Sequence, residues 1–318
     1  MHSYDTLKQL IFYSLIEALK DARMHNINEI CKDGQSLPLN TEGNLRIIFL
    51  GVGAAFTKRN RQSNFLIIQG EHHVLVDCGT LGPLALDDIG LSVSKVQCYL
   101  PTHSHADHIG GFEEVALVNR YISNSPNKPK MIIPKDYQDL LWTKSLAGGA
   151  EFCEAAQGQP LQLTDFFDIH SPKETELLGR KVWSYQHGSM ELVLMRTLHF
   201  PDSAVSIDEA QWCSGILVNR RVWISGDTMF DKDYPTQFSS ISEVMFHDCQ
   251  TFQGGIHASY RELMTLSDEV RSKTYLYHYN DNWDDPKAWV KDSDNFTGDP
   301  VKDGFMGWAD QQVAYDFS

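Results

Sequence analysis

Short apolar runs recur along the chain, and most of them end in a glycine, an aspartate or a histidine. Runs of this length that are rich in branched and aromatic residues and bounded by turn residues predict strands. They cover residues 45–50, 64–69, 73–77, 95–100 and 191–198, and two more begin at Arg221 and Thr274. The first run ends at Gly51-Val-Gly53, which is no dinucleotide fingerprint because no third glycine and no helical pattern follow it.

Apolar residues at helical spacing appear in three places. They predict helices over residues 4–23, 109–120 and 137–146, whereas the stretch 137–190 otherwise gives no clear pattern. Strands that alternate with helices in this order favour an α/β or α+β sandwich over a parallel barrel.

Composition and charge narrow the classes of partner. Of the 318 residues 42% are hydrophobic, yet no apolar run is long enough to cross a bilayer, and the segment 7–19 lacks the flanks of a signal peptide. The net charge of −15 would repel a polyanion as large as tRNA or DNA. Six scattered cysteines without a Cys-x-x-Cys pair favour reduced thiols and a cytoplasmic location.

One small cluster of basic residues is an exception to the acidic composition of the chain. It consists of Lys58, Arg59 and Arg61, within the segment 56–63. Three cations can hold one or two phosphates but hardly a long nucleic acid. A solvated loop explains the same residues equally well, so both interpretations stay open.

The densest group of chemically active side chains lies in the segment 100–111. His103 and His105, two residues apart on an extended segment, can point to the same side and bind one metal ion. Asp107 and His108 follow where the chain turns into a helix, and they can face a second ion a few ångströms away. Imidazole and carboxylate donors without a thiolate suit zinc, iron or manganese.

This His-x-His-x-Asp-His pattern, preceded by threonine and followed by two glycines, resembles the signature of the metallo-β-lactamase superfamily. The resemblance implies a four-layered αββα sandwich, an α/β (α+β) fold with a one- or two-metal site at one edge. The pattern is less specific for the reaction. Lactamases, glyoxalase II, lactonases, ribonuclease Z and cyclic-nucleotide phosphodiesterases all carry close versions of it.

The resemblance also implies the remaining metal ligands, each at the end of a later apolar run. His199 follows the run 191–198, Asp227 lies in Ser-Gly-Asp-Thr, and His278 ends the last run. The implied set gives the first metal to His103, His105 and His199, the second to Asp107, His108 and His278, and places Asp227 between them. Asp77, which also ends an apolar run, either supports this site or is a turn residue.

Two further segments resemble the ribonuclease Z and phosphodiesterase branch of the superfamily. The segment 246–249 is similar to a His-Glu-Ala-Thr segment, with Asp248 in place of the glutamate, and Gly254-Gly-Ile-His257 is similar to a later Gly-His-Ser segment. Together with the opening segment 51–64, the resemblance covers about residues 45–280. The surroundings of His199 differ from the Gly-His-Thr-Pro-Gly-His segment of glyoxalase II-like and lactonase-like members.

The implied chemistry is hydrolysis with two divalent metal ions, zinc first, with manganese or iron as alternatives. Two metals bridged by Asp227 and a water would lower the pKa of that water, and the resulting hydroxide would attack phosphorus. Asp107 can orient the hydroxide, and the basic cluster is expected to bind the substrate phosphate. The leaving alkoxide needs a proton, and both His247 and His257 are candidates for donating it.

Charge favours a small substrate. The acidic balance and the single basic cluster point to a small phosphodiester such as a cyclic nucleotide, and this branch includes phage enzymes that destroy cyclic pyrimidine signals. A ribonuclease Z-like endonuclease that processes RNA 3′ ends is the alternative, and a metal-dependent ester, thioester or lactone hydrolase is the second alternative. A homodimer is a family-level expectation, and no membrane partner is expected.

These patterns divide the chain into three parts. Residues 1–43 form an N-terminal helical extension, residues 44–280 form the catalytic domain, and residues 281–318 form an aromatic and acidic tail. The tail holds Trp283, Trp289 and Trp308 among many aspartates and begins just after His278. We expect it to pack over the sandwich near the active site, and a lid that stacks on a base is the alternative.

Overall fold

Two β-sheets pack face to face at the centre of the protein in the computed structural model, which describes residues 24–30, 36–154 and 159–318. The helix predicted over 4–23 and Cys31 lie outside these described residues. Aromatic side chains fill the interface between the sheets. The ring centroid of Phe49 on the first sheet lies 4.9 Å from Phe246 and 5.5 Å from Tyr277 on the second. Burial of these apolar surfaces is the main force that holds the two sheets together.

Each sheet has eight strands. The first contains, in spatial order, β1 (Met24–Asn26), β16 (Val313–Phe317), β2 (Leu45–Gly51), β3 (Asn64–Gln69), β4 (His72–Val76), β5 (Cys98–Leu100), β6 (Lys130–Ile132) and β7 (Asp168–His170). The second contains β15 (Gly307–Trp308), β14 (Thr274–Tyr277), β13 (Val244–Asp248), β12 (Val222–Ile224), β11 (Ser214–Val218), β10 (Met190–Arg196), β9 (Arg180–His187) and β8 (Lys173–Leu177).

Helices cover the outer faces of both sheets and complete the αββα layering. They are α1 (Ile27–Ile30), α2 (Gly82–Asp87), α3 (Ala106–Ile109), α4 (Phe112–Tyr121), α5 (Lys135–Leu141), α6 (Ala147–Ala150), α7 (Leu163–Phe166), α8 (Asp233–Ser239), α9 (Tyr260–Leu263) and α10 (Asp268–Arg271). On the first sheet, Phe112 of α4 lies 5.6 Å from Tyr99 between ring centroids. On the second, Phe238 of α8 stacks on Trp223 at 5.7 Å.

The parallel parts of the two sheets bring distant polar residues to one edge. Strands β4, β5 and β6 are parallel in the first sheet, as are β12, β13 and β14 in the second. Parallel strands that are buried on both faces read as continuous apolar runs, and their carboxyl ends meet at the same edge. The loops that leave β4, β5, β12 and β14 at that edge carry Asp77, the segment 102–108, Asp227 and His278.

The structure corrects several details of the predicted elements. The helix predicted over 109–120 is two helices, α3 and α4, separated by Gly110 and Gly111. The helix predicted over 137–146 is α5 followed by a π-helical turn at Trp142–Leu146. The stretch 137–190, in which the sequence pattern predicts only one helix, also contains β7, β8 and β9. Of these, β8 is an exposed, charged edge strand without an apolar face. Such a strand lacks the alternation by which a sequence pattern reveals strands.

The last residues of the chain belong to both sheets. Strand β15 extends the second sheet, and β16 pairs with both β1 and β2 in the first. The predicted division of the chain at residues 43 and 280 stays a prediction. Among the described residues, no helix is both long enough and apolar enough to cross a membrane.

Candidate active site

The structure brings all seven predicted metal ligands together at the edge where the parallel strands end. They form two groups, and within each group the potential ligand atoms all lie within 4.8 Å of one another. The first group is His103, His105 and His199, and the second is Asp107, His108, Asp227 and His278.

The first group consists of three imidazoles. Nδ1 of His105 lies 3.0 Å from Nε2 of His103 and 3.1 Å from Nε2 of His199. Burial lowers the pKa of His199 to about 3 and that of His103 well below its ordinary value, so both rings are neutral. The neutral imidazole is the form that binds a metal ion.

Asp227 lies between the two groups. Its Oδ2 atom is 3.1 Å from Nε2 of His108, 3.3 Å from Nε2 of His278, and 3.7 Å from Nε2 of both His103 and His199. Burial alone would raise the pKa of Asp227, but the surrounding histidines, chiefly His278 and His108, hold it well below its usual range. The carboxylate is therefore charged and can face an ion in either group.

The hydrogen bonding of this cluster fits a bound cation. Both carboxylate oxygens of Asp227 and Nε2 of His108 are buried and have no hydrogen-bond partner among the described residues. Burying a polar group without a hydrogen bond is unfavourable, by roughly 2–7 kcal/mol for a neutral group. Divalent cations at the two ligand groups would satisfy these atoms, and oxygen and imidazole donors are what zinc, manganese and iron bind.

Gly226 allows the turn that presents Asp227. Its φ of +65° is a left-handed conformation that favours glycine, and a Cβ atom here would collide with the backbone carbonyl of Ser214. The Ser-Gly-Asp-Thr sequence therefore has a steric reason as well as a chemical one.

Asp77 supports the site from behind His108. Its carboxylate lies 2.7 Å from Nδ1 of His108 and accepts hydrogen bonds from the backbone N–H and the hydroxyl of Thr102, both at 2.7 Å. A carboxylate on Nδ1 fixes the ring orientation and leaves Nε2 directed at the metal position. These contacts favour the interpretation that Asp77 supports the metal site over the interpretation that it is only a turn residue.

His257 and Asp248 form a hydrogen-bonded pair beside the cluster. Nδ1 of His257 lies 3.0 Å from Oδ2 of Asp248, and the same oxygen accepts a 3.1 Å hydrogen bond from the backbone N–H of Thr228. Burial alone would lower the pKa of His257, but the Asp248 hydrogen bond and the charge of Asp227 raise it. The His257 ring lines the site cavity and is placed to donate a proton there.

His247, the other candidate proton donor, is not in the site. Its ring is fully buried and lies 5.6 Å from the Trp223 ring, in the layer between the second sheet and its helices. Its Nδ1 atom lies 3.1 Å from Oδ1 of Asp248, whose other carboxylate oxygen contacts His257. His247 therefore reaches the site through Asp248, and proton donation by His247 stays a prediction.

A cavity of about 660 Å³ opens over the cluster. The cluster residues at its floor are His105, Asp107, Asp227, His257 and His278. Its other walls are formed by Ala54, Ala55, Phe56, Thr57, Gln62, Ala106, Gln250, Phe252, Gly255, Ile256, Asn280 and Asp281. No lysine or arginine is among these lining residues of the described chain.

The structure therefore does not place the predicted basic cluster in the cavity. Arg59 makes two 2.6 Å hydrogen bonds to the carboxylate of Asp284, and Arg61 contacts Asp88 at 2.9 Å. Lys58 is exposed and lies outside the lining. Sequence analysis could not identify these partners, because Asp284 is 225 residues away from Arg59 along the chain.

Two aromatic side chains of the cavity wall, Phe56 and Phe252, were not predicted as site residues. Phe56 directly precedes the basic cluster, and Phe252 lies just before the Gly254-Gly255 pair. An isolated phenylalanine in a polar, glycine-rich loop is the signal that could have identified them, because such loops seldom bury apolar side chains.

Comparison with known proteins identifies the family. Residues 45–315 match the family described as Anti-Pycsar protein Apyc1. The Apyc1 protein of Bacillus phage 010DV004 is 32% identical over 246 residues, which is 76% of this chain and 91% of that protein. The Apyc1 protein of Paenibacillus xerothermodurans is 30% identical over 277 residues, or 86% of this chain and 98% of that protein.

Solved structures support the same fold. The metallo-β-lactamase fold protein YhfI from Bacillus subtilis superposes with a TM-score of 0.60 and 14% identity, over 86% of this chain and all of that one. The short form of human tRNase Z gives a TM-score of 0.52 and 16% identity, over 74% of this chain and 93% of that one. These matches confirm the predicted superfamily, the αββα fold and the predicted class of enzyme. The chain belongs to the Anti-Pycsar protein Apyc1 family and is a metal-dependent phosphodiesterase of the metallo-β-lactamase fold.

Proposed function

We propose that this protein hydrolyses cyclic nucleotides at a site that holds two divalent metal ions, zinc in the first instance. The observation that carries the proposal is the buried carboxylate of Asp227, which has no hydrogen-bond partner among the described residues and lies between two groups of potential ligands beside an open cavity. Pockets for small ligands typically enclose about 300–1,000 Å³, and the volume of about 660 Å³ falls in this range.

The seven clustered residues would hold the ions, His103, His105 and His199 on one side and Asp107, His108 and His278 on the other, with Asp227 shared. When bound, such ions supply a Lewis acid for the phosphoryl oxygens and make a water molecule nucleophilic near neutral pH. Manganese and iron use the same donors, so the choice of zinc rests on the predominance of imidazole.

The protein's own residues supply positioning and a proton. Asp107 lies 3.2 Å from Nε2 of His108 and 3.4 Å from Nε2 of His278, so its carboxylate faces the cavity floor and can orient the attacking water. His257, held by Asp248, would donate a proton to the oxygen that leaves phosphorus. Burial alone would lower the pKa of His257, but the Asp248 hydrogen bond and the charge of Asp227 raise it and so favour the protonated ring.

The cavity wall favours a small substrate over RNA. RNA-binding enzymes contact several phosphates with lysine and arginine, and the described cavity lining contains neither. The net charge of −15 adds long-range repulsion of a large polyanion. The ribonuclease Z-like alternative therefore lacks the surface it would require, and nothing in the cavity favours an ester or lactone.

The test is hydrolysis of a panel of 3′,5′-cyclic nucleotides by the zinc- or manganese-loaded protein, with products identified by chromatography. We expect linear mononucleotides, and we expect Asp227→Asn to abolish turnover while metal analysis shows a lower metal content. Intact cyclic nucleotides in the presence of cleaved tRNA precursor would refute the proposal.

Location and assembly stay predictions. The five cysteines of the described residues are all free, which supports a reducing compartment such as the cytoplasm. The homodimer expected from the superfamily is a further prediction, and analytical ultracentrifugation tests it.

A further inference from the structure

We propose that Phe56 and Phe252 form the binding site for the heterocyclic base of the substrate. The proposal rests on the proposed function and adds to it the group that the protein recognises. It also implies that the protein holds the base by stacking an aromatic ring on its flat face and not by hydrogen bonds to its edge.

The two rings are unusually exposed for phenylalanine. Phe56 is 89% exposed and Phe252 is 56% exposed, and both line the cavity above the metal ligands. Neither ring stacks on another aromatic ring within the described residues, although aromatic pairs are abundant elsewhere in the protein. Exposed apolar surface in a binding cavity marks a place where a ligand buries it.

The loop that carries Phe56 is firmly held, so the exposure of Phe56 is not a result of a loose loop. Both carboxylate oxygens of Asp281 accept hydrogen bonds from this loop, from the backbone N–H of Lys58 at 2.8 Å and of Arg59 at 3.0 Å. The Thr57 hydroxyl donates to the carbonyl of Ala54 at 2.9 Å. Phe56 is therefore displayed over the cavity by a backbone that is ordered before any ligand binds, which reduces the entropy lost on binding.

Phe252 belongs to a loop that is tied to the metal site. The loop continues through Gly254 and Gly255, both at positive φ, and the side-chain amide of Gln250 donates to the carbonyl of Gly254. Two residues further on, the carbonyl oxygen of Ile256 lies 2.8 Å from Nδ1 of His199. A base that stacks on Phe252 would thus be held by the same loop that orients a metal ligand and carries His257.

Several amide atoms of the cavity wall already make hydrogen bonds within the protein. Gln62 donates to the carbonyl of Ala55 and accepts from the backbone N–H of Leu81, while Asn280 accepts from the backbone N–H of Thr251. These atoms are therefore not free to bind the edge of a base. Stacking on phenylalanine tolerates every base, because each has a π face.

The test compares two substrates in the metal-loaded full chain. One is a 3′,5′-cyclic nucleotide, and the other is 1-deoxyribose 3′,5′-cyclic phosphate, which has the same phosphodiester but no base. Phe56→Ala and Phe252→Ala should each raise KM for the cyclic nucleotide roughly tenfold and leave kcat/KM for the base-free diester unchanged. Phe56→Trp should retain the wild-type KM, because it keeps an aromatic face.

The control is Phe152→Ala, which removes another exposed phenylalanine, 76% exposed, that does not line the cavity. It should leave KM for both substrates unchanged. Equal losses on both substrates, or no loss on the cyclic nucleotide, would overturn the base-binding proposal while cyclic nucleotide hydrolysis stands. A wild-type protein that cleaves the base-free diester but no cyclic nucleotide would refute the proposed function itself.

Discussion

The Oδ2 atom of Asp248 lies 3.0 Å from Nδ1 of His257, which binds this histidine to the strand β13 next to the metal ligands. Asp248 is fully buried, whereas the His257 side chain is 18% exposed and faces the cavity. A buried carboxylate behind a partly exposed imidazole orients the ring and stabilises its protonated form. The pair is therefore suited to transfer a proton, although His257 also lies close enough to His199 and Asp227 to share a metal ion with them.

Substitution of this pair should reduce turnover without removing metal. His257→Ala should lower kcat for cyclic nucleotides by roughly 100-fold or more, the usual contribution of a general acid. Asp248→Asn should lower kcat less, since the ring remains in place. Steady-state kinetics and metal analysis of the purified variants are the measurements. A loss of metal in His257→Ala that parallels the loss of kcat would identify His257 as a ligand instead. His170→Ala, a histidine far from the cavity lining, is the control.

Asp77 has a left-handed backbone conformation, with φ of +61°, and its side chain makes three hydrogen bonds, two to Thr102 and one to His108. Asparagine tolerates this conformation, whereas alanine does not adopt it readily. Asp77→Asn should therefore keep the fold but weaken metal binding roughly 10- to 100-fold, as the loss of a carboxylate behind a ligating histidine usually does. Competition with a chromogenic chelator measures this affinity.

Asp77→Ala should in addition lower the free energy of unfolding by about 1–3 kcal/mol, because the buried N–H of Thr102 loses its acceptor. Urea denaturation of both variants with excess metal separates this effect from metal affinity. Unchanged metal affinity in Asp77→Asn would show that the aspartate serves the turn alone.

Local pattern together with the family resemblance predicted the group of seven candidate ligands, each of which follows an apolar run or lies in one short segment. Parallel strands of a sheet end at a common edge, so residues such as Asp227 and His278 meet there without any pairwise signal in the sequence. The role of His247 stays a prediction, because its buried ring contacts the Asp248 carboxylate at 3.1 Å and Asp248 lies between it and His257.

The partners of charged residues and of edge strands could not be predicted, since they depend on contacts between distant segments. The charge of Arg59 pointed to a phosphate, but the acidic segment after His278 supplies Asp284 as its partner. Likewise β16 lies between β1 and β2, although these strands are separated from it by most of the chain. Sequence periodicity describes one element at a time and contains no information on such pairings.

The Arg59–Asp284 pair gives a direct test of whether Arg59 binds the substrate. If the pair only fastens the loop that carries Phe56, then Arg59→Ala and Asp284→Ala should raise KM by a similar small factor, roughly two- to fivefold for an exposed ion pair. If Arg59 instead bound the phosphate, Asp284→Ala would release it and lower KM. Lys181→Ala, which breaks the exposed pair with Glu174 far from the cavity, should change nothing.

His73 should make the stability of the protein sensitive to acid. It is buried on β4, and its Nε2 accepts a 3.0 Å hydrogen bond from the backbone N–H of Gln97. Burial, together with the nearby His187, lowers its pKa from 6.5 to about 4. Between these two values the unfolded chain takes up a proton that the folded chain refuses, so stability is full above pH 6.5 and falls as the pH drops towards 4. A difference of this size corresponds to about 3 kcal/mol at most.

Urea denaturation of wild type and His73→Gln from pH 7 to pH 4, with the same metal saturation, measures this contribution. Glutamine can accept the hydrogen bond of Gln97 through its side-chain oxygen but does not titrate. The free energy of unfolding of the variant should therefore fall less steeply with decreasing pH than that of the wild type, with the difference concentrated between pH 6.5 and 4. All metal ligands are shared by the two proteins, so their titration cancels in the comparison. Parallel curves would show that His73 takes up its proton equally well in the folded state.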